Sequence, residues 1–119
     1  MPSHAVHVKR YTTQTSIHQS THLKEHPIQH HESDSQGAFF LANAAGARLA
    51  EMTYSRTNES LIIIDHTEVD SSLAGQGVGR RLLDQLVAWA RSSGTKVIAL
   101  CPFANAQFAK DASIRDVLK

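Results

Sequence analysis

Three glycines at alternate positions, Gly75, Gly77 and Gly79, stand inside the run Leu73-Ala74-Gly75-Gln76-Gly77-Val78-Gly79-Arg80-Arg81-Leu82-Leu83. Before them lies the most β-branched stretch of the chain, residues 61–69. After them a helical pattern covers residues 78–92, with Val78, Leu82, Leu83, Leu86 and Ala90 on one broad apolar stripe that Trp89 extends. A strand, a glycine turn and a helix start together make an anion-binding arrangement. The first N–H groups of a helix have no acceptor within it, and its dipole favours negative charge there. Glycine lets the backbone approach the anion and take positive φ. A phosphate or pyrophosphate is the anion expected, although a glycine-rich turn is equally compatible with a turn alone. Spacing excludes two familiar motifs. The P-loop needs Lys and then Ser or Thr after its last glycine, whereas Arg80-Arg81 follow Gly79. The dinucleotide fingerprint needs two residues between its second and third glycines, and only Val78 separates Gly77 from Gly79.

The flanking segments give the architecture. Residues 95–101 read as a second buried strand, stopped by Pro102. Joined to residues 61–69 through the helix, it completes a β-α-β crossover with parallel strands and a right-handed connection. Upstream, residues 28–32 make a short strand and residues 37–43 a second one. Asn43-Ala44-Ala45-Gly46 is a hairpin connection, and residues 47–56 alternate with Ala50, Met52 and Tyr54 inward. In residues 61–69 strict alternation puts Leu61, Ile63, Asp65, Thr67 and Val69 on one face, and Ile62, Ile64, His66 and Glu68 on the other. The polar residues gather at the C-terminal end of that strand, where open sheets bind ligands. Residues 103–111 form a short helix, and residues 114–118 pack back on the domain. The fold class is α/β (α+β): a mixed sheet with antiparallel N-terminal strands, a parallel β-α-β core and flanking helices.

The 119 residues suit one domain, with 27–119 as its extent. Residues 1–26 are dominated by His, Ser, Thr and Gln and read as a flexible polar tail. His18, His22, His26 and His30 recur every four residues, a spacing that can bind metal on a helix. Pro27 interrupts any such helix and no thiol or carboxylate completes a site, so no metal is expected. Net charge is +1, which points to neither nucleic acid nor an anionic membrane as partner. One cysteine, Cys101, forbids an internal disulfide and fits a reducing, cytoplasmic setting. No apolar run approaches membrane-spanning length, and the N-terminus has no secretory apolar segment.

Four residues near the glycine turn carry possible chemistry. Glu68 or His66 can take a proton from an attacking amine, or each can be a satisfied polar group at a strand end. Asp70 is most simply a turn residue. Cys101 ends the strand beside the expected cleft, where a thiol is either a nucleophile or acyl acceptor, or a small hydrophobe.

The motifs Asp65-His66-Thr67-Glu68-Val69, then Leu73-x-Gly-Gln-Gly-Val-Gly, then Leu100-Cys101-Pro102-Phe103-Ala104 resemble the GNAT superfamily of N-acetyltransferases. In that order and spacing they are similar to its small YjdJ-type, N-acetyltransferase domain-containing subfamily, over residues 28–118. The resemblance implies a minimal GNAT fold with a splayed sheet, and acetyl-CoA lying between strands 61–69 and 95–100. The pantetheine arm would pair with Thr67, Glu68 and Val69. The phosphates would meet the backbone at Gly75, Gln76, Gly77, Val78, Gly79 and Arg80. It makes Cys101 the first catalytic candidate, with Glu68 or His66 as base. Ala74 departs from the superfamily's Arg or Gln, a loss that Arg80 and Arg81 would offset electrostatically. The N-terminal helices that build the acceptor site are missing, so the acceptor side is open or is completed by a partner or by self-association. Ile114 stands where relatives tend to have a general-acid Tyr. The implied activity is acetyl transfer to an unidentified amine. The alternative is a non-catalytic CoA or acetyl-CoA module that docks to a partner.

Overall fold

The computed structural model describes residues 27–119; the tail read over residues 1–26, with His18, His22 and His26, lies outside the described residues. Five strands form one sheet in chain order: β1 (Gln29–Ser33), β2 (Gln36–Ala42), β3 (Arg48–Asn58), β4 (Leu61–Val69) and β5 (Lys96–Ala99). The first three pairings are antiparallel and β4·β5 is parallel. Between β4 and β5 runs α1 (Val78–Ser93), and α2 (Pro102–Lys110) follows β5. A 3-10 stretch, Ala112–Val117, leads to Leu118, which bridges in parallel to Val97 at the outer edge of β5. This is the expected mixed α/β sheet.

The amphipathic pattern decides which face is covered. Val78, Leu82, Leu83, Leu86 and Ala90 are buried as the spacing requires, and Val87 joins them. They pack on Phe39, Leu41, Ala50, Met52, Tyr54, Ile62 and Ile64 of the sheet. Each fully buried aliphatic side chain here stabilises the fold by about 1.5–3 kcal/mol. Gly94 ends α1 at φ 71°, with its N–H donating to the Ala90 carbonyl. In the β2–β3 connection, Asn43 Oδ1 accepts from the amides of Ala45 and Ala47, both at 3.0 Å.

Two expectations are corrected. Strict alternation in β4 fails at a bulge. Thr53 pairs with His66 and Tyr54 with Ile64, which leaves Asp65 as the extra residue. Beyond it every side chain changes face. Thr67 and Val69 lie opposite Met52 and Ala50 on the helix-covered face, while His66 and Glu68 lie opposite Thr53 and Glu51 on the other. The second correction concerns β5, which ends at Ala99 rather than at Cys101. The amides of Leu100 and Cys101 both turn to the Ile64 carbonyl, at 3.1 Å each, and Pro102 opens α2 at its first turn.

The edge strand β1 is held by a polar and aromatic network. His30 stacks on Phe39 with centroids 4.0 Å apart and meets Trp89 of α1 edge-on at 4.9 Å. The Tyr54 hydroxyl donates to Glu32 Oε1 at 2.6 Å, and Arg56 donates to both Glu32 oxygens, at 2.6 and 3.1 Å. The single Tyr54 proton is thus committed, so His30 Nε2 carries a proton and donates to the Tyr54 oxygen at 2.7 Å. Burial, with further contributions from Arg56 and His31, holds the His30 pKa below its ordinary 6.5 against the opposing pull of Glu32. The Arg56 hydrogen bond holds Glu32 below its ordinary 4.5. Burial, then the bond to Glu32, raises Tyr54.

The signs agree. Both His30 and Glu32 bind protons less readily folded than unfolded, so stability falls as pH falls. The His30 contribution is complete above about pH 6.5 and is lost as pH drops through its lowered value. A His30→Phe variant keeps the stack on Phe39 and gives up the titration. Urea unfolding at pH ~7.5 and ~5.5 is expected to show wild type weaker at the lower pH, with a smaller difference in the variant. Equal differences in both proteins would assign the effect to other groups.

Candidate functional site

The turn after β4 is built to leave amides open. Asp70 caps the 3-10 turn Ser71–Leu73 by accepting from the Ser72 amide at 3.0 Å. The amides of Leu73, Ala74 and Gln76 then bond to the carbonyls of Asp70, Ser71 and Leu73. Gly75 (φ 79°) and Gly77 (φ 71°) take the left-handed conformation, which costs other residues about 1–2 kcal/mol. Gly77 is the N-cap of α1 and no side chain caps the helix. The first bond into the helix is Arg81 N–H to the Gly77 carbonyl, at 3.1 Å. Among the described residues, the amides of Gly75, Gly77, Val78, Gly79 and Arg80 have no acceptor, while the Gln76 amide is engaged. Nothing lies within 4 Å of where a Cβ would stand on Gly75 or Gly77. Gly79 serves a different purpose: a Cβ there would sit 3.0 Å from the Phe103 ring, so its absence lets α2 pack on α1.

These amides face a cavity of about 510 Å³ that Thr67, Val69, Leu73, Arg80, Phe103 and Gln107 also line. Gln76 and Arg81 are not in that lining. Arg80 does not offer a spare charge. Its guanidinium donates to Asp84 at 2.8 Å, to Gln107 at 3.0 Å and to Asp111. The Ser113 hydroxyl and then Arg80 hold the Asp111 carboxyl down to about 2. Arg80 therefore ties α1 to the end of α2, and attraction for an anion falls to the helix amides.

Beside the turn the sheet splays. β4 and β5 pair only from Leu61–Lys96 to Ile64–Ala99. From Asp65 onward β4 pairs with β3 alone, so its other edge is open toward the cavity. Cys101 sits at the head of the gap as the N-cap of α2. It is 2% exposed, with Sγ 3.2 Å from Thr67 Oγ1. His66 and Glu68 stand on the opposite face, exposed, with Nε2 and Oε2 4.0 Å apart. The structure thus gathers Thr67, Val69, the glycine turn, Arg80 and Cys101 on one side of β4, and His66 and Glu68 on the other.

On that second side an open cleft of about 500 Å³ runs from His31 and Ala38 past Arg48 and Thr53 to Asp65 and His66. The two cavities reach β4 from opposite faces at the bulge. Glu51, His66 and Glu68 each bring a ligand atom within 4.8 Å of the others, a donor set that could hold a cation, but Arg48 already donates to Glu51 at 3.1 Å. Gln107 and Asp111 were not marked by the sequence, and Phe103 and the bulge residue Asp65 were marked only as members of their motifs, with no site role. For Asp65 a further signal is a carboxylate directly after three isoleucines in a buried strand.

A strand, an open-amide glycine turn and a splayed parallel pair together make an anion-binding cleft at the open edge of a mixed sheet. A family model described as GCN5-related N-acetyl-transferase matches residues 38–117. The solution structure of a GCN5-like protein from Staphylococcus aureus is similar at 36% identity and TM-score 0.59, over 77% of this chain and 88% of that one. The chain belongs to the GCN5-related N-acetyltransferase (GNAT) family, whose members transfer an acyl group from acyl-CoA to an amine. Two enzymes share the fold at lower identity. One is the ribosomal-protein-S18-alanine N-acetyltransferase from Escherichia coli, at 19% identity and TM-score 0.53 over 66% of this chain and 52% of that one. The other is an aminoglycoside acetyltransferase from an uncultured soil metagenomic sample, in complex with sisomicin, at 16% and 0.50 over 68% and 60%. The chain spans about half the length of the Escherichia coli enzyme. No curated protein matches the chain. Among the described residues, no helix is long and apolar enough to cross a membrane.

Proposed function

We propose that this chain, through residues 27–119, transfers an acetyl group from acetyl-CoA to an amine. The carrying observation is the set of five amides without acceptors at the start of α1, beside the unpaired edge of β4. The pyrophosphate rests on the amides of Gly75 and Gly77 to Arg80, and the pantetheine arm runs along Thr67 to Val69. Bound there, acetyl-CoA supplies a thioester. The chain holds that thioester at the head of the gap, between Cys101 and the bulge. The amine enters from the opposite face, through the cleft that ends at Asp65 and His66. Its proton passes to Glu68 or His66, the ionisable pair on that face. Positioning of the two reactants supplies much of the acceleration.

Direct transfer fits the site better than an acetyl-Cys101 route. Cys101 is buried, its Sγ has Thr67 as its polar partner, and both candidate bases lie across the sheet from it. Replacing Cys101 with Ala is expected to leave turnover within about tenfold of wild type, whereas removing His66 and Glu68 together (both to Gln) is expected to lower kcat by about a hundredfold or more. Acetyl-CoA affinity should hold in both variants. The release of CoA thiol during turnover reports both effects. Loss of turnover in Cys101→Ala, with mass-detected acetylation of wild-type Cys101, would establish the covalent route instead. Acetyl-CoA binding without turnover on any amine would leave a non-catalytic CoA module.

A further inference from the structure

We propose that the acceptor carries a second positive charge besides the amine that is acylated, and that Asp65 selects it; this deepens the reading above and rests on it. The bulge brings two consecutive side chains, Asp65 and His66, to the open-face cleft. They do not occupy the same part of it. Ser55 Oγ donates to Asp65 Oδ2 at 2.7 Å, and Ser55 pairs with Ile63, on the half of β4 that β5 still covers. That bond draws the carboxylate back from the gap, while His66 and Glu68 stand along the open half. An amine must be neutral to attack a thioester, and a carboxylate against it would favour the ammonium form. Asp65, set back, suits a charge that stays protonated throughout.

The charge distribution points the same way. Among the described residues the cations of this face are engaged elsewhere: Arg48 is paired with Glu51, and Lys96, two residues before Ile98, donates to the Asp116 carbonyl at 2.8 Å. Glu68 lies directly across from Glu51, with His66 Nε2 4.0 Å from its carboxylate, and among the described residues Asp65 has no cationic partner. Asp65 is thus the carboxylate that lines the cleft apart from the Arg48–Glu51 pair, and a cationic ligand there gains it as a partner. Ile63 and its neighbour Ile98, both half-buried, give the same region an apolar flank for a methylene chain. A linear diamine has this chemistry, and so does a lysine beside another basic residue in a peptide.

Turnover with acetyl-CoA is compared for 1,5-diaminopentane and pentylamine, which match in length and differ in the second charge. A second arm compares short peptides with Lys-Lys and Lys-Ala, and so tells a small amine from a peptide as the source. The doubly charged member of a pair is expected to have a kcat/KM about tenfold higher, expressed in KM and reduced by salt. In Asp65→Asn the ratio falls to about the twofold that a second amine supplies by number, a comparison in which any change common to both amines cancels. Equal kcat/KM in both arms overturns the inference, as does an unchanged ratio in Asp65→Asn, or acetyl-CoA binding with no turnover of any of the four. Turnover without discrimination leaves the proposed function standing; failure to bind acetyl-CoA removes both.

Discussion

Replacing Gly77 with Asp is expected to weaken acetyl-CoA binding about a hundredfold while leaving the fold as stable as before. The two effects separate because they depend on different properties of one position. Gly77 is the N-cap of α1 at φ 71°, a conformation that Asp adopts more readily than most residues. No side chain caps the helix in wild type, so a carboxylate there gains the orphan amides and the positive end of the dipole. That gain offsets the backbone strain. The same carboxylate stands where the pyrophosphate would rest, in space open to at least 4 Å around the missing Cβ. It takes the donors and repels the anion. Calorimetric titration with acetyl-CoA, alongside a urea melt, reads both numbers. Unchanged affinity with unchanged stability would mean that the glycine turn holds no phosphate.

The second large effect is on stability. Gly37 lies in β2 directly opposite Tyr54, and a Cβ there would stand 2.3 Å from Tyr54 Cζ. Tyr54 is 1% exposed and cannot swing into solvent without leaving the core. Its hydroxyl also holds Glu32 and accepts from His30, so displacing the ring loosens the edge strand as well. Gly37→Ala is therefore expected to cost about 3 kcal/mol, a large share of the stability of a domain this size. Tyr54→Leu removes the ring tip that clashes. The double variant should be less destabilised than the two single losses added together. Simple additivity in denaturant melts would show that the ring accommodates the methyl group by another route.

The parts of this fold that follow from local pattern were legible in the sequence. The stripe of α1, the inward set Ala50, Met52 and Tyr54, and the full extent of β4 all stand where periodicity put them. Gly94 ends α1 because a left-handed C-cap favours glycine. What did not follow is what depends on pairing. A bulge is a property of two strands, so nothing in the β4 sequence alone reveals that Thr67 and Val69 cross to the helix side while His66 and Glu68 leave it. That one residue separates the glycine-turn side of β4 from the side of His66 and Glu68. The engagement of Arg80 by Asp111 was hidden for the same reason. Asp84 is four residues away on the same helix, but Asp111 arrives from the far end of α2. The three glycines looked alike in sequence, and the structure divides them: Gly75 and Gly77 for backbone conformation, Gly79 for contact with Phe103.

The central claim is that acetyl-CoA lies between the glycine turn and the open edge of β4, with its thioester at the bulge. Titrating acetyl-CoA into the full chain and following the amide resonances tests it most directly. The account predicts saturable shifts at Thr67, Val69, Gly75, Gly77, Val78, Gly79, Arg80 and Cys101, with free CoA reproducing those at the glycine turn and moving those near Cys101 less. Saturating acetyl-CoA that leaves these resonances in place, or that moves only those of the cleft at His31 and Ala38, would contradict it.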